Sequence, residues 1–342
     1  MIGRERVSAG SRAMPLSAVD RCRIAFLFAL AALLLPLLSH TAFAAYPERV
    51  IKVIVPFAPG GGTDAIARVL AQEMAKDLGA NIIVENKPGA GTIIGAQAVA
   101  AAEGDGYTLL MGSFAHAVNP SLYSKLPFDP NKDFAPVAFI ARSPNIVVVN
   151  PKSSFRSVAD LIAAAKAEPD KISYGTFGTG TSAHLAGEMF KRMAGVNMTM
   201  VPYKGSAPAI TDLIGGQTQV MFTTVASAAS LIEGGQLRAL AVTSAARSPA
   251  FPQLPTVAET GLAGFEAETW YGLFAPAKTP PEIIDRLNRS AAKAVQADAF
   301  KKLSVNEGLV LIAAPPEEFG RYYRSEVERW RKVIEEAGIK AE

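Results

Sequence analysis

The chain has 342 residues, of which 49% are hydrophobic, and a formal net charge of +3. That length can bury two medium-sized cores, and so small a charge gives no basis for contact with nucleic acid or an anionic membrane. Cys22 is the sole cysteine, which excludes disulfides and cysteine-based metal sites.

Residues 1–44 read as a secretory signal peptide. Arg4, Arg6, Arg12, Arg21 and Arg23 precede an apolar run over 24–38, and Ala42-Phe43-Ala44 offers a small-residue cleavage site before Ala45. The run is about fifteen residues, short for a membrane span, and Pro36 interrupts it. Met14 is an alternative start. These five arginines against Glu5 and Asp20 carry the whole net charge, so residues 45–342 balance. No Arg-Arg pair occurs in residues 1–44, which argues against export of a folded protein already loaded with a cofactor. None is expected.

Residues 50–55 are β-branched apart from Lys52 and predict a strand. A Pro/Gly turn follows (Pro56, Pro59, Gly60, Gly61, Gly62), and Thr63-Asp64 opens an amphipathic helix to 78. A strand over 81–85, a helix over 91–102 and a strand over 107–111 complete a βαβαβ series, which implies parallel pairing. Residues 113–133 read as a surface loop with one helical turn, which would leave His116 solvated beside Ser113 and Phe114. Strands over 137–141 and 146–150 flank Arg142-Ser143-Pro144-Asn145, and the second is a crossing point into another domain.

A second series follows: helix 158–167, strand 172–174, a glycine turn over 175–180, helix 182–194, strand 198–202, helix 208–214, strand 219–222, helix 225–232 and strand 237–243. Residues 267–275 read as a strand returning to the first domain. A helix over 280–297, a strand over 309–313 and a charged helix over 315–338 end the chain.

The two glycine turns share one physical property. Glycines leave backbone N–H groups uncovered, and the helix start behind them adds unpaired donors and the positive end of a dipole, so each suits an anion. In the second turn Thr176, Thr179, Thr181 and Ser182 add hydroxyls. Facing each other, the turns would hold the two ends of a dicarboxylate, or one carboxylate and a polar tail. Each turn alone is equally explained as a tight βα connection with N-caps. Ser113, Thr223 and Thr224 fall at carboxyl ends of strands and join the candidate ligand contacts.

Competing chemistries fare worse. Both turns fit the weak dinucleotide pattern, as Gly60-x-Gly62-x-x-Ala65 and Gly178-x-Gly180-x-x-Ala183, but an exported chain meets little of that cofactor. Beyond residue 44 there are two histidines, His116 and His184, too few and too isolated for a metal. Ser182 and His184 are two apart on a helix and cannot pair directly. His184 is expected to cap or line the second turn. In Val201-Pro202-Tyr203-Lys204-Gly205-Ser206, a third strand-to-helix turn, Lys204 reads as an exposed lysine able to meet an anion. Trp270 and Tyr271 read as core.

PFAPGGGTDAIAR, VENKPGAGTIIGA, DGYTLL, VPYKGSAPAITDLIGGQ, LRALAVTS, PTVAETG and YGLFAPAKTPPEIIDRLN resemble, in order, the recurring segments of the substrate-binding receptors of tripartite tricarboxylate transporters, the Bug proteins. The resemblance implies a periplasmic receptor with an α/β Venus-flytrap (type II) fold, its two domains each a mainly parallel sheet flanked by helices. It implies ligand contacts at Phe57, Ala58, Gly61, Gly62, Thr63 and Asp64, and at Thr176, Gly178, Thr179, Thr181, Ser182 and His184. It assigns none to Lys204. Where family members commonly carry an Asp, this chain has Met221-Phe222-Thr223-Thr224, which argues against an amino-acid ligand.

The expected organisation is residues 45–145 plus 270–342 as domain 1 and 146–269 as domain 2. The expected function is capture of a small mono- or dicarboxylate by a monomer and its delivery to the permease subunits of a tripartite tricarboxylate transporter. The alternatives are a sensory receptor docking on a signalling protein and a secreted hydrolase using His184.

Overall fold

The computed structural model describes Val19 and residues 46–339, so the expected signal peptide and its cleavage site lie, Val19 apart, outside the described residues. From Pro47 onward the chain forms one compact unit. Its elements run β1 (Ile51–Val55), α1 (Gly62–Leu78), β2 (Ile82–Asn86), α2 (Ile93–Ala100), β3 (Thr108–Ser113), α3 (Phe114–Leu122), β4 (Phe134–Val149), α4 (Val158–Ala167), β5 (Ser173–Thr176) and α5 (Ser182–Ala194). They continue with β6 (Thr199–Pro202), α6 (Ser206–Ile214), β7 (Val220–Thr224), α7 (Val225–Glu233), β8 (Arg238–Val242), β9 (Glu268–Pro276), α8 (Pro281–Gln296), α9 (Asp298–Glu307), β10 (Val310–Ala314) and α10 (Pro316–Ala337). Among the described residues no helix is long and apolar enough to cross a membrane.

The strands lie in the order β2-β1-β3-β9-β4-β7-β5-β6, with β10 and β8 also on β4. Pairing is parallel in β2-β1-β3 and in β7-β5-β6, as the βαβ series requires. It is antiparallel wherever β4 or β9 takes part, so the sheet as a whole is mixed.

β4 is one sixteen-residue strand where two shorter ones were expected. Its first part pairs with β9 as far as Pro144–Glu268, and its last part pairs with β7 from Asn145–Thr224 onward. Proline lacks an amide donor, and here it sits where the ladder changes partner, so the missing donor does not interrupt the strand. The crossing point expected near residue 146 is thus a continuous strand common to both parts of the sheet.

The loop expected over 113–133 instead begins with the helix α3, and His116 is not solvated. Pro120 lies inside that helix and offers no N–H to the His116 carbonyl, which accepts the Tyr323 hydroxyl at 3.4 Å instead. The apolar residues Phe114, Ala117, Val118 and Leu122 turn into an aromatic core with Trp270, Phe274, Phe319 and Trp330. Trp270 is buried there, and Tyr271, next to it on β9, is also buried, both as expected. The His116 ring is 4% exposed and lies 4.6 Å from Phe134, 4.9 Å from Phe274 and 5.5 Å from Tyr323. Burial among these rings disfavours the charged form and pushes its pKa down to about 3.

Candidate functional site

The first glycine turn lies between β1 and α1, as the sequence predicts, but the helix begins at Gly62, ahead of Thr63-Asp64, with Gly61 as its N-cap. The amides of Gly62, Thr63 and Asp64 therefore have no intrahelical acceptor. The Asp64 carboxylate, buried in the first turn of α1, braces this geometry from behind. It accepts from the Gly60 amide (3.0 Å), Arg68 Nε (2.9 Å) and Asn86 Nδ2 (2.9 Å). Asn86 Nδ2 also donates to the Phe57 carbonyl at 3.0 Å, so β2 holds the turn from its other end. Burial alone would raise the Asp64 pKa, but the bonds from Arg68, Gly60 and Asn86 outweigh it and hold the carboxyl below its ordinary value. Arg68 offsets the charge, so an incoming anion does not meet an uncompensated carboxylate.

The turn meets the carboxyl end of β6 and the start of α7. The Ala58 amide donates to the Lys204 carbonyl at 2.8 Å. The Gly62 amide donates to Ser227 Oγ at 3.0 Å, and Ser227 also bonds Ser206 Oγ (3.0 Å) and Thr224 Oγ1 (2.8 Å). Close approach requires glycine here: a Cβ on Gly62 would lie 3.0 Å from the Ala226 Cβ and 3.2 Å from its carbonyl carbon. The Phe57 and Phe177 rings meet edge-on with centroids 6.1 Å apart.

The second turn faces another strained segment. Gly89, Ala90, Gly91 and Thr92 all have positive φ (130°, 47°, 57° and 81°), which a β-branched residue such as Thr92 adopts only under constraint. The constraint is Asn119 of α3, whose Nδ2 donates to the Gly91 carbonyl (2.8 Å) and to Thr92 Oγ1 (3.2 Å). A Cβ on Gly91 would meet the Thr179 carbonyl and the Tyr123 hydroxyl, both at 2.7 Å. Within the second turn the side chains are engaged locally. Thr176 Oγ1 accepts from the Gly178 amide (3.3 Å), Thr181 Oγ1 donates to the Gly178 carbonyl (2.6 Å), and His184 Nδ1 accepts from the Gly180 amide (3.2 Å). Ser182 Oγ donates to Asn145 Oδ1 at 3.1 Å, so its hydroxyl is directed at β4 and not at His184.

Two cavities lie between these turns, and the Phe57–Phe177 pair lines both. The inner one, about 10 Å³, is bounded by Gly61, Thr63, Asp64, Ser206, Thr224 and Ser227. That is room for about one water. The outer one, about 230 Å³, is bounded by the 89–92 turn, Tyr123, Gly178, Thr179 and the segment Pro202–Lys204.

Of the expected contacts, Phe57, Gly61, Thr63, Asp64, Gly178, Thr179 and Thr224 line a cavity, while Ala58 and Gly62 bond through their amides to the Lys204 carbonyl and the Ser227 hydroxyl. Thr176, Thr181, Ser182 and His184 are buried and build the second turn without lining either cavity. Ser113 is buried at the end of β3, opposite Tyr271, and Thr223 is buried opposite Ile146. Sequence reasoning missed Phe177, Ser206 and Ser227. Ser206 and Ser227 each stand in the first turn of a helix that follows a strand, the same signal that singled out Thr63.

Residues 66–339 match the family model described as the tripartite tricarboxylate transporter family receptor. Protein BugT of Bordetella pertussis (strain Tohama I) is 39% identical over 297 residues, covering 86% of this chain and 91% of BugT. The solved structure of the periplasmic binding protein BugD superposes with a TM-score of 0.84 at 35% identity, over 87% of this chain and all (100%) of that one. Rpa4515 of R. palustris, solved with adipate, gives a TM-score of 0.83 at 38% identity, over 86% of this chain and 99% of that one.

Proposed function

This chain belongs to the tripartite tricarboxylate transporter receptor family, a family of solute-binding receptors, and on that premise we propose that it captures a small organic carboxylate between its two glycine turns. The observation that carries the reading is the inner cavity. There the start of α1, with Gly61 and Thr63, meets the hydroxyls of Ser206, Thr224 and Ser227, while Asp64 is neutralised by Arg68. A carboxylate there would exchange its hydration for helix-start amides and hydroxyl donors, with no unpaired negative charge nearby. The adipate of Rpa4515 supports this ligand class.

The cavity is too small for a carboxylic acid as it stands, so entry requires the turns to part. We assign the motion to two lobes, residues 45–145 plus 270–342 and residues 146–269, bending where β4 and β9 run between them. The protein works in the periplasm after removal of residues 1–44. It acts as a monomer and a non-enzymatic receptor that hands its ligand to the permease subunits of a tripartite transporter. The bonds of Ser182 to Asn145 and of His184 to the Gly180 amide favour a structural role for both over a nucleophile and its base.

The test is isothermal titration of refolded, ligand-free protein with mono- and dicarboxylates, beside Gly61→Asp. The substitution puts a fixed negative charge in the cradle and should abolish binding. Unchanged affinity would refute the site.

A further inference from the structure

A cluster of titratable groups outside both cavities lies where the chain passes from one part of the sheet to the other. Glu268 opens β9 and pairs across the ladder with Pro144, the last such pair before β4 changes partner. Around it stand Glu266 from the segment before β9, Arg142 of β4, and Tyr322, Glu326, Arg329 and Trp330 of α10. Three carboxylates thus meet two guanidinium groups. The excess negative charge is poorly shielded, because Glu326 is only 6% exposed and Arg329 Nη1 lies 3.5 Å from it, while Arg142 Nη1 lies 4.0 Å from Glu268. Direct charge-assisted bonds run to about 2.7–2.9 Å. Trp330 Nε1 donates to Glu326 at 3.2 Å. Burial pushes the pKa of both carboxyls up, and Glu266 and Glu326 add repulsion at Glu268 against the pull of Arg142. The Tyr322 phenol, raised chiefly by burial, stays neutral.

Glu266 and Glu268 fall in the lobe of residues 146–269, whereas Arg142 and α10 fall in the other. Bending of β4 and β9 between the lobes therefore changes both the spacing of Glu268 from Glu326 and the access of water to them. Two carboxylates brought together out of water retain a proton that they release when parted and hydrated. We propose that this cluster is a proton-linked clasp: closing the lobes takes up one proton, shared by Glu268 and Glu326, so a more acidic medium favours the closed form. The inference rests on the two-lobe receptor reading given above and adds a regulator of closure built from residues that line neither cavity.

The test is solution scattering of ligand-free protein purified from the periplasm, at about pH 8 and about pH 5.5, a range in which folded His116 carries no charge. The wild-type radius of gyration should shrink at the lower pH, the ratio of closed to open molecules rising by up to about tenfold for each pH unit. Glu268→Gln and Glu326→Gln each replace a carboxylate by a neutral amide of the same shape. Both should be compact at either pH, like the acidified wild type. Thermal midpoints report whether they fold, and if buried Glu326→Gln does not, Glu268→Gln at its half-buried position carries the test. A wild-type radius equal at the two pH values, or a pH response that survives in a folded variant, overturns the clasp. Because no ligand is present, either result leaves the receptor reading intact. That reading fails separately, if carboxylates do not bind the wild type at either pH.

Discussion

The Gly62 amide donates to the Ser227 hydroxyl at 3.0 Å, although 165 positions separate the two residues. The donor belongs to the start of α1, the acceptor to the first turn of α7. A side-chain oxygen thus sits on one of the amides to which a carboxylate oxygen would bind. The bond joins the first glycine turn to the start of α7, and Ser206 and Thr224 hold the hydroxyl in place.

Ser227→Ala removes that acceptor and leaves the Gly62 amide facing a methyl group. The loss of a partnered buried donor should cost about 1–2 kcal/mol of the closed form. The thermal midpoint of ligand-free protein should fall by about 2–4 °C, and its radius of gyration in solution scattering should rise. A midpoint and radius equal to those of the wild type would show that the bond holds nothing closed.

Gly62→Ala acts on the same contact by volume. The new methyl would press on the Ala226 carbon atoms at 3.0 and 3.2 Å, and backbone cannot rotate aside as a side chain can. The variant should fold, stay open, and lose about tenfold or more in carboxylate affinity. Wild-type affinity in titration would mean that α7 yields more easily than its burial implies.

Asn119 holds the strained 89–92 turn through two donated bonds, at 2.8 Å to Gly91 and 3.2 Å to Thr92. Asn119→Asp sets an acceptor against those same acceptors in a buried place. A loss of about 2–4 kcal/mol in urea unfolding is expected, together with faster proteolysis near Pro88–Thr92. Asn119→Ala, which removes the donors without adding charge, should lose less than Asn119→Asp.

His116 makes stability depend on pH. Its folded pKa lies near 3 and its unfolded pKa near 6.5, so below about pH 6.5 the unfolded chain takes up a proton that the folded chain refuses. Stability is therefore full above pH 6.5 and falls as the solution is acidified. From pH 7 to pH 5 this one group should remove about 2 kcal/mol. His116→Leu should flatten that part of the profile in urea titrations at the two pH values, whatever it does to stability at pH 7. A slope unchanged by the substitution would locate the acid sensitivity elsewhere.

Local sequence signals were enough for β1, for α4 and α5 and for both glycine turns, because there β-branching, glycine and helical periodicity point the same way. They misled at two prolines. Pro120 suggests a loop, but α3 continues because Tyr323, far along the chain, supplies the hydrogen bond that proline cannot. Pro144 suggests a break, but β4 changes neighbours at that residue. In each case a distant element decides, and nothing within a local window records it. The site followed the same pattern. Glycine turns are visible as sequence, whereas Ser227 acquires its role only when α7 is brought to Gly62. His184, expected to cap or line the second turn, accepts from the Gly180 amide within that turn.

β3 lies between β1, which precedes it in the chain, and β9, which is synthesised much later. Until residues 268–276 have left the ribosome, Leu110–Ser113 presents a bare edge to whatever strand comes near. A nascent polypeptide truncated ahead of Glu268 should accordingly aggregate instead of folding piecemeal, and holding chaperones would have to shield it throughout that wait.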